Sequence, residues 1–283
     1  MPSKKVSSAQ NWFLNGDNLS NQGKFQGAVA AYSKGLSLDP NNEKAWNNKG
    51  IALANLTKHK EALQAYEKAL EVNPNYQKAW NNKGTSLDNL TKFEEALKAY
   101  QKAIEIAPNY QKAWTNMSVT LTKMHRVQDA LKAIETSVEI KPEDSEAQEL
   151  KGIALSNLGR YEDAILAFEK ATEINSNFVR AWHNKGAALQ TINKFGEALV
   201  AFNRALALNP NYQRAFLNKG IVLESLGKPE ESLNALNKAT ELNPNDHEAW
   251  CRKGMVLQTL GKKEEAVKAF DKAFLSPAVL PEK

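Results

Sequence analysis

Aromatic, small and leucine positions recur along this chain at helical spacing. Trp46, Gly50 and Leu53 fall at i, i+4 and i+7, which places them on one face of a helix. Ala62, Tyr66 and Ala69 repeat that spacing and predict a second amphipathic helix. Between the two, Asn55-Leu56-Thr57-Lys58 reads as a short turn, and in later stretches Gly159, Gly227 or Gly261 supplies the helix stop. The helix pair then returns every 34 residues: Trp12, Trp46, Trp80 and Trp114 are so spaced, and further steps reach Gln148, Trp182, Phe216 and Trp250. All six tryptophans occupy this one place. Four residues on stands Gly16, Gly50, Gly84, Ser118, Gly152, Gly186, Gly220 or Gly254, and three further a leucine in every copy. Turns such as Asn73-Pro74-Asn75 and Asn209-Pro210-Asn211 close the units, with Asn75, Asn109 and Asn211 expected as turn and cap residues.

This Trp-Gly-Leu-Ala-Tyr-Ala-Pro skeleton at a 34-residue period resembles the tetratricopeptide repeat. Eight units fit end to end, at 9–42, 43–76, 77–110, 111–144, 145–178, 179–212, 213–246 and 247–280. They leave an N-terminal extension at 1–8 and a tail at 281–283. The resemblance implies an all-α, right-handed superhelical solenoid of helix-turn-helix units whose first helices line a concave groove. Near-consensus repeats of the AWNNKG kind are similar to those of bacterial and archaeal arrays. A 35-residue, RNA-reading repeat frame does not fit the spacing. A lone helix pair cannot bury its apolar stripe, so neighbouring units must stack.

Composition agrees: 42% hydrophobic and 24% charged residues suffice for a continuous core. No apolar run approaches a membrane span, and MPSKKVSSAQ lacks the apolar stretch of a secretion signal. Cys251 is the single cysteine, so no internal disulfide can form and a cytoplasmic setting is expected. Thirty-seven basic residues against 32 acidic ones give a net charge of +5, a mild preference for acidic partners rather than for nucleic acid. His59, His125, His183 and His247 share no metal-ligand spacing, and the glycines form no phosphate loop. We therefore expect no enzyme, metal or cofactor. The tryptophans are expected in the core, and the lysines before the glycines (Lys49, Lys83, Lys185, Lys219 and Lys253) are expected to snorkel over their neighbours.

Asparagine is a poor helix former, yet Asn48, Asn82, Asn116, Asn184 and Asn218 occupy one place two residues after the Trp position. At about 100° per residue that place points roughly opposite the packing stripe. Duplication alone fits poorly, because VRAWHNKG and QRAFLNKG vary around an Asn that both keep. A helix-to-helix hydrogen bond and contact with a ligand remain as readings. A primary amide pairs with both the C=O and N–H of an extended peptide. The row resembles the asparagine ladder of O-GlcNAc transferase superhelices, from which only the main-chain binding mode carries over.

One turn earlier, Lys44, Lys78, Lys112, Arg180 and Arg214 are expected to pair with acidic side chains of the bound segment. The place before each Asn varies (Asn47, Asn81, Thr115, His183, Leu217), so the lysine of a chaperone-tail carboxylate clamp is missing. The expected function is a protein-interaction scaffold for an extended, acidic peptide. The alternatives are the recognition arm of a larger enzyme or signalling protein, and an architectural module that self-associates through its apolar C-terminal end (Phe270, Ala273, Phe274, Leu275). Ser118, Ile134, Ser137, Gln148 and Ser176 depart from the pattern and predict looser packing over 115–150.

Overall fold

The computed structural model describes residues 2–275, with side chains over 8–274. Among these residues the chain forms sixteen α-helices and no strand. It divides into two compact units, Met1–Pro142 and Glu143–Lys283, a division that falls inside the 115–150 window. The first unit holds α1 (Pro2–Asn21), α2 (Phe25–Leu38), α3 (Glu43–Asn55), α4 (His59–Val72), α5 (Gln77–Asn89), α6 (Phe93–Ile106), α7 (Gln111–Lys123) and α8 (Val127–Ile140). The second holds α9 (Ser145–Asn157), α10 (Tyr161–Ile174), α11 (Val179–Thr191), α12 (Phe195–Leu208), α13 (Gln213–Ser225), α14 (Pro229–Leu242), α15 (His247–Thr259) and α16 (Lys263–Leu275). Each repeat is thus an antiparallel helix pair, an all-α repeat solenoid of eight units. Helix α1 begins ahead of residue 9, so the extension from Pro2 is helical.

The repeat code has a direct physical reading. A β-carbon added at Gly50 would stand 2.4 Å from Tyr66, and one at Gly152 would stand 2.5 Å from Phe168. Glycine is therefore what lets these first helices close onto the aromatic ring of the partner; in α13 Gly220 meets Leu236 instead, and in α7 the place is Ser118. In Trp46, Trp80, Trp114, Trp182 and Trp250 the indole N–H reaches back to the turn that precedes its helix: Trp46 Nε1 donates to Pro40 O and Trp80 Nε1 to Pro74 O, both at 2.8 Å. Trp182 finds Ser176 O at 3.0 Å, so the loss of proline there leaves the bond intact. The tryptophan rings are half-buried except Trp250, which is buried. The lysines cover them as expected, with Lys49 Nζ 5.1 Å from the Trp46 ring centre and Lys253 Nζ 4.7 Å from that of Trp250.

Turns between paired helices need one residue in the left-handed region. Gly23, Gly159, Gly227 and Gly261 supply it, while Thr57, Thr91, His125 and Asn193 adopt it at the same place. The asparagines after proline act in turns but do not cap. In 73–77 and 209–213 the residue before proline does the work, Asn73 Oδ1 accepting from Asn75 N at 3.0 Å and Asn209 Oδ1 from Asn211 N at 3.0 Å. Tyr76, Tyr110 and Tyr212 then precede their helices without a side-chain cap. In the fourth repeat Ser118, Ile134 and Ser137 are all buried, and Ser137 Oγ lies 2.7 Å from Thr115 Oγ1.

Within each unit, alternate first helices touch (α1 with α3, α3 with α5, α5 with α7; α9 with α11, α11 with α13, α13 with α15). Successive second helices do not. First helices therefore take the inner side of each stack.

Candidate functional site

A directional chain of amides joins the first helices on that inner side. Asn82 on α5 donates from Nδ2 to Asn47 Oδ1 on α3 at 2.9 Å, and Asn116 on α7 to Asn81 Oδ1 on α5 at 3.0 Å. Within α3, Asn47 Nδ2 donates to Asn48 Oδ1 at 3.3 Å, and within α5, Asn81 Nδ2 to Asn82 Oδ1 at 3.4 Å. Asn48 Nδ2 ends the run on Asp17 Oδ1 at 3.1 Å, an oxygen that also accepts from Tyr32 Oη at 2.6 Å. Every amide passes its bond toward α1. Burial first, then Asp17, pushes the Tyr32 hydroxyl pKa well up, so it stays a donor.

The second unit builds the same device from different residues. Glu149 on α9 is buried. Arg180 on α11 reaches it with Nε at 3.1 Å and with Nη2, and Asn184 Nδ2 donates to Glu149 Oε1 at 3.0 Å. His183 Nδ1 lies 3.3 Å from Asn184 Oδ1, and Asn218 Nδ2 on α13 lies 3.2 Å from His183 Nε2. A neutral imidazole with its proton on Nδ1 satisfies both contacts, donating to Asn184 and accepting from Asn218.

All five asparagines placed on a peptide-binding face are therefore half-buried and engaged in helix-to-helix bonds. A helical wheel sets this place opposite the packing stripe because it counts only the helix's own partner. A first helix here also packs against the first helices on either side. The preceding place, which varies from unit to unit, is buried at Asn47, Asn81, Glu149 and His183. The sequence holds a signal for this. Each of Asn82, Asn116, Asn184 and Asn218 follows a polar residue 35 positions earlier, and Arg252 stands where that residue is Leu217.

Lys44, Lys78, Lys112, Arg180 and Arg214 are exposed. Arg180 is committed to Glu149, whereas among the described residues the other four make no ion pair. A pocket of about 230 Å³ opens between α9 and α11 beside Asn184. On the other side of the first unit, a groove of about 950 Å³ runs between α6 and α8, floored by Trp80, Trp114 and Met117 and edged by Leu97.

Family models described as tetratricopeptide repeat match residues 43–76, 78–110, 179–212, 217–278 and 99–132, and one described as TPR repeat matches 16–56 and 152–193. The chain belongs to the tetratricopeptide repeat family. No curated protein matches it. Among solved structures, this tetratricopeptide repeat protein is similar to YrrB, "a TPR protein with an unusual peptide-binding site", at 24% identity over 66% of this chain and 96% of that one, TM-score 0.58. It is also similar to MamA from Desulfovibrio magneticus RS-1 (26% identity, 58% and 92% covered, TM-score 0.55). The APC/C subunit complex Cut9–Hcn1 shares the fold at 18% identity, with 87% of this chain and 48% of that one covered and TM-score 0.68.

Among the described residues of the array, no cluster of three or more His, Cys, Asp or Glu side chains could hold a metal ion, and no helix is long and apolar enough to cross a membrane. The chemistry of the inner face is hydrogen bonding and charge.

His183 gives this face a pH dependence with a definite sign. Burial lowers its pKa, the bond to Asn184 opposes that, and Arg214 adds to the lowering. A folded-state pKa below the ordinary value means the neutral ring favours folding. That stability is complete above the unfolded value, about 6.5, and is lost as pH falls through it toward the folded pKa. His183→Asn installs the residue found at Asn47 and Asn81. It is expected to flatten this part of the stability profile, as followed by urea unfolding across pH 4.5–8 (an experimental window of about two units around the His value). An unchanged slope would assign the dependence to other groups.

Proposed function

We propose that the chain is a non-catalytic scaffold that binds an extended, acidic protein segment along the inner faces of its first helices. The observation that carries this reading is the row Lys44, Lys78 and Lys112. These cations are exposed, aligned by the 34-residue period and without an ion pair among the described residues. Lysines on second helices spend their charge differently, as in Lys68–Glu71 at 2.6 Å and Lys102–Glu105 at 2.7 Å. In the second unit Arg214 plays the corresponding part, with Arg180 shared with Glu149.

The amides support main-chain capture alongside their structural bonds. Asn48, Asn82, Asn184 and Asn218 each use one amide hydrogen between helices, leaving a second for a peptide carbonyl. Asn116 divides its hydrogens between Asn81 and Thr85 and offers its oxygen. First helices packed roughly 8–10 Å apart meet an extended chain about every third residue. At a net contribution of about 0.5–1.5 kcal/mol per bond the affinity is modest, and the cations set selectivity with a strong salt dependence. The unusual peptide-binding site of the similar protein YrrB supports the same reading. A protein partner and a cytoplasmic setting fit a chain whose one cysteine is free.

A second reading has its own observation. The Trp-floored groove between α6 and α8, and Phe274, 79% exposed on α16, favour contact through the outer face or self-association through the C-terminal end. The triple replacement Lys44→Glu, Lys78→Glu and Lys112→Glu separates the two. We expect capture on immobilised Asp/Glu-rich peptides to fall about tenfold or more, about 1.4 kcal/mol, with the melting temperature unchanged. Undiminished capture would move binding to the outer groove.

A further inference from the structure

We propose that the pocket between α9 and α11 is a subsite for one neutral apolar side chain of leucine or isoleucine size, taken from the peptide lying on the second unit. The proposal rests on the peptide-binding reading above and adds what that peptide must contain.

The pocket exists because three positions of the repeat are altered together. The residue after the helix glycine (Ser118 in the fourth unit) is Asp17, Ile51, Thr85, Val119, Ile153, Ile221 or Met255 in other units, and is smallest at Ala187. The buried ring that is Tyr66 or Tyr100 in the first unit is Phe168 here. The hydroxyls that meet those tyrosines, Ser86 and Thr120, are replaced at the equivalent place by Ala188. Ring hydroxyl, partner hydroxyl and a branched side chain are all missing at once. What remains is a recess of about 230 Å³ with Ile153, Phe168, Ala187 and Ala188 as its apolar lining, the rest being the neutral polar side chains of Ser156, Asn157, Tyr161, Asn184 and Thr191.

Size and charge then select the occupant. An apolar cavity of about 150 Å³ already accepts benzene, so the space suits a branched aliphatic side chain. No charged residue lines the pocket, and an ionised side chain would lose its hydration there without a partner. Asn184, on the lining, holds the main chain beside the recess. Arg214 on the next first helix, exposed and without an ion pair among the described residues, complements a carboxylate. With first helices roughly 8–10 Å apart and about 3.3 Å per extended residue, that acid stands about three residues from the apolar one.

The test uses the full chain with labelled alanine methyl groups, titrated in NMR experiments with N-acetyl-leucine methylamide and with N-acetyl-aspartate methylamide. We expect the leucine probe to shift the Ala187 and Ala188 methyl signals and the aspartate probe to leave them in place. Ala187→Ile and Ala188→Val each fill the pocket with residues that other repeats carry at those places (Ile51, Ile221; Val222, Val256). Both variants should fold and should weaken the leucine probe about tenfold or more, roughly 1.4 kcal/mol. The proposal is overturned if the leucine probe moves neither signal, if aspartate moves them equally, or if both filled variants bind as well as the parent. The probes have no chain to lie along a groove. A positive result with no capture of acidic peptides fails the peptide reading alone, and the reverse pair of results fails the pocket alone.

Discussion

Gly84→Ser is expected to destabilise the first unit by about 1–3 kcal/mol, and adding Tyr100→Ile is expected to recover much of that loss. A β-carbon on residue 84 would lie 2.6 Å from Cε1 and 2.7 Å from Cδ1 of Tyr100, a ring buried to 2% exposure with little room to retreat. The fourth repeat already contains the compensated pair, Ser118 with Ile134, both buried. Tyr100→Ile alone should also cost stability, because it leaves a void and removes a hydroxyl that lies 3.5 Å from Thr85 Oγ1. The double-mutant cycle, read by denaturant unfolding and by amide exchange in α5 and α6, should show a favourable coupling of about 0.5–3 kcal/mol. Strict additivity would mean that the glycine answers to something other than the ring.

Arg180→Leu is expected to cost roughly 3–5 kcal/mol, toward the lower end because Asn184 still donates to Glu149 at 3.0 Å. The cost comes from the carboxylate rather than from the lost attraction. Arg180 is 63% exposed and can be hydrated alone, whereas Glu149 is 1% exposed and cannot. The hydrogen bond to Glu149 is the leading cause of the raised Arg180 pKa. Glu149→Asn in the same chain should restore most of the stability, since it recreates the neutral acceptor that Asn47 and Asn81 provide to their neighbours. Melting curves of the two variants compare them directly. Equal loss in both would show that Glu149 tolerates burial unpaired.

The fold was legible because its determinants recur. Trp, a small residue and Leu at fixed spacing mark each first helix, and Ala, an aromatic and Ala mark its partner; repeated at 34 residues, the two sets specify how units stack. Repeat four shows where such reading falls short. Ser118, Ile134 and Ser137 look like defects one at a time, yet each is buried, and Ser137 gains a hydroxyl contact. The candidate site was half legible. The row of cations lies exposed. The amides do not, since their partners sit on another first helix, 31 residues away for Asn48 and 35 for the others, where neither a helical wheel nor a single repeat shows them. The pocket at Ala187 was equally hidden, because it depends on three substitutions, one on α10 and two on α11, meeting at one point.

The one-way run of amides also says something about how such an array can grow. In both units each donor points toward the lower-numbered helix, and the run closes on an acid, Asp17 or Glu149. A repeat bearing the pair is thus a donor to the copy before it and an acceptor for the copy after it. A further copy spliced between two others would inherit both bonds and strand neither. Leu217 marks the opposite terminus, offering no acceptor to the helix where Arg252 takes the place of asparagine. With an acid to start and an apolar residue to finish, the number of repeats in between is free to change by whole copies.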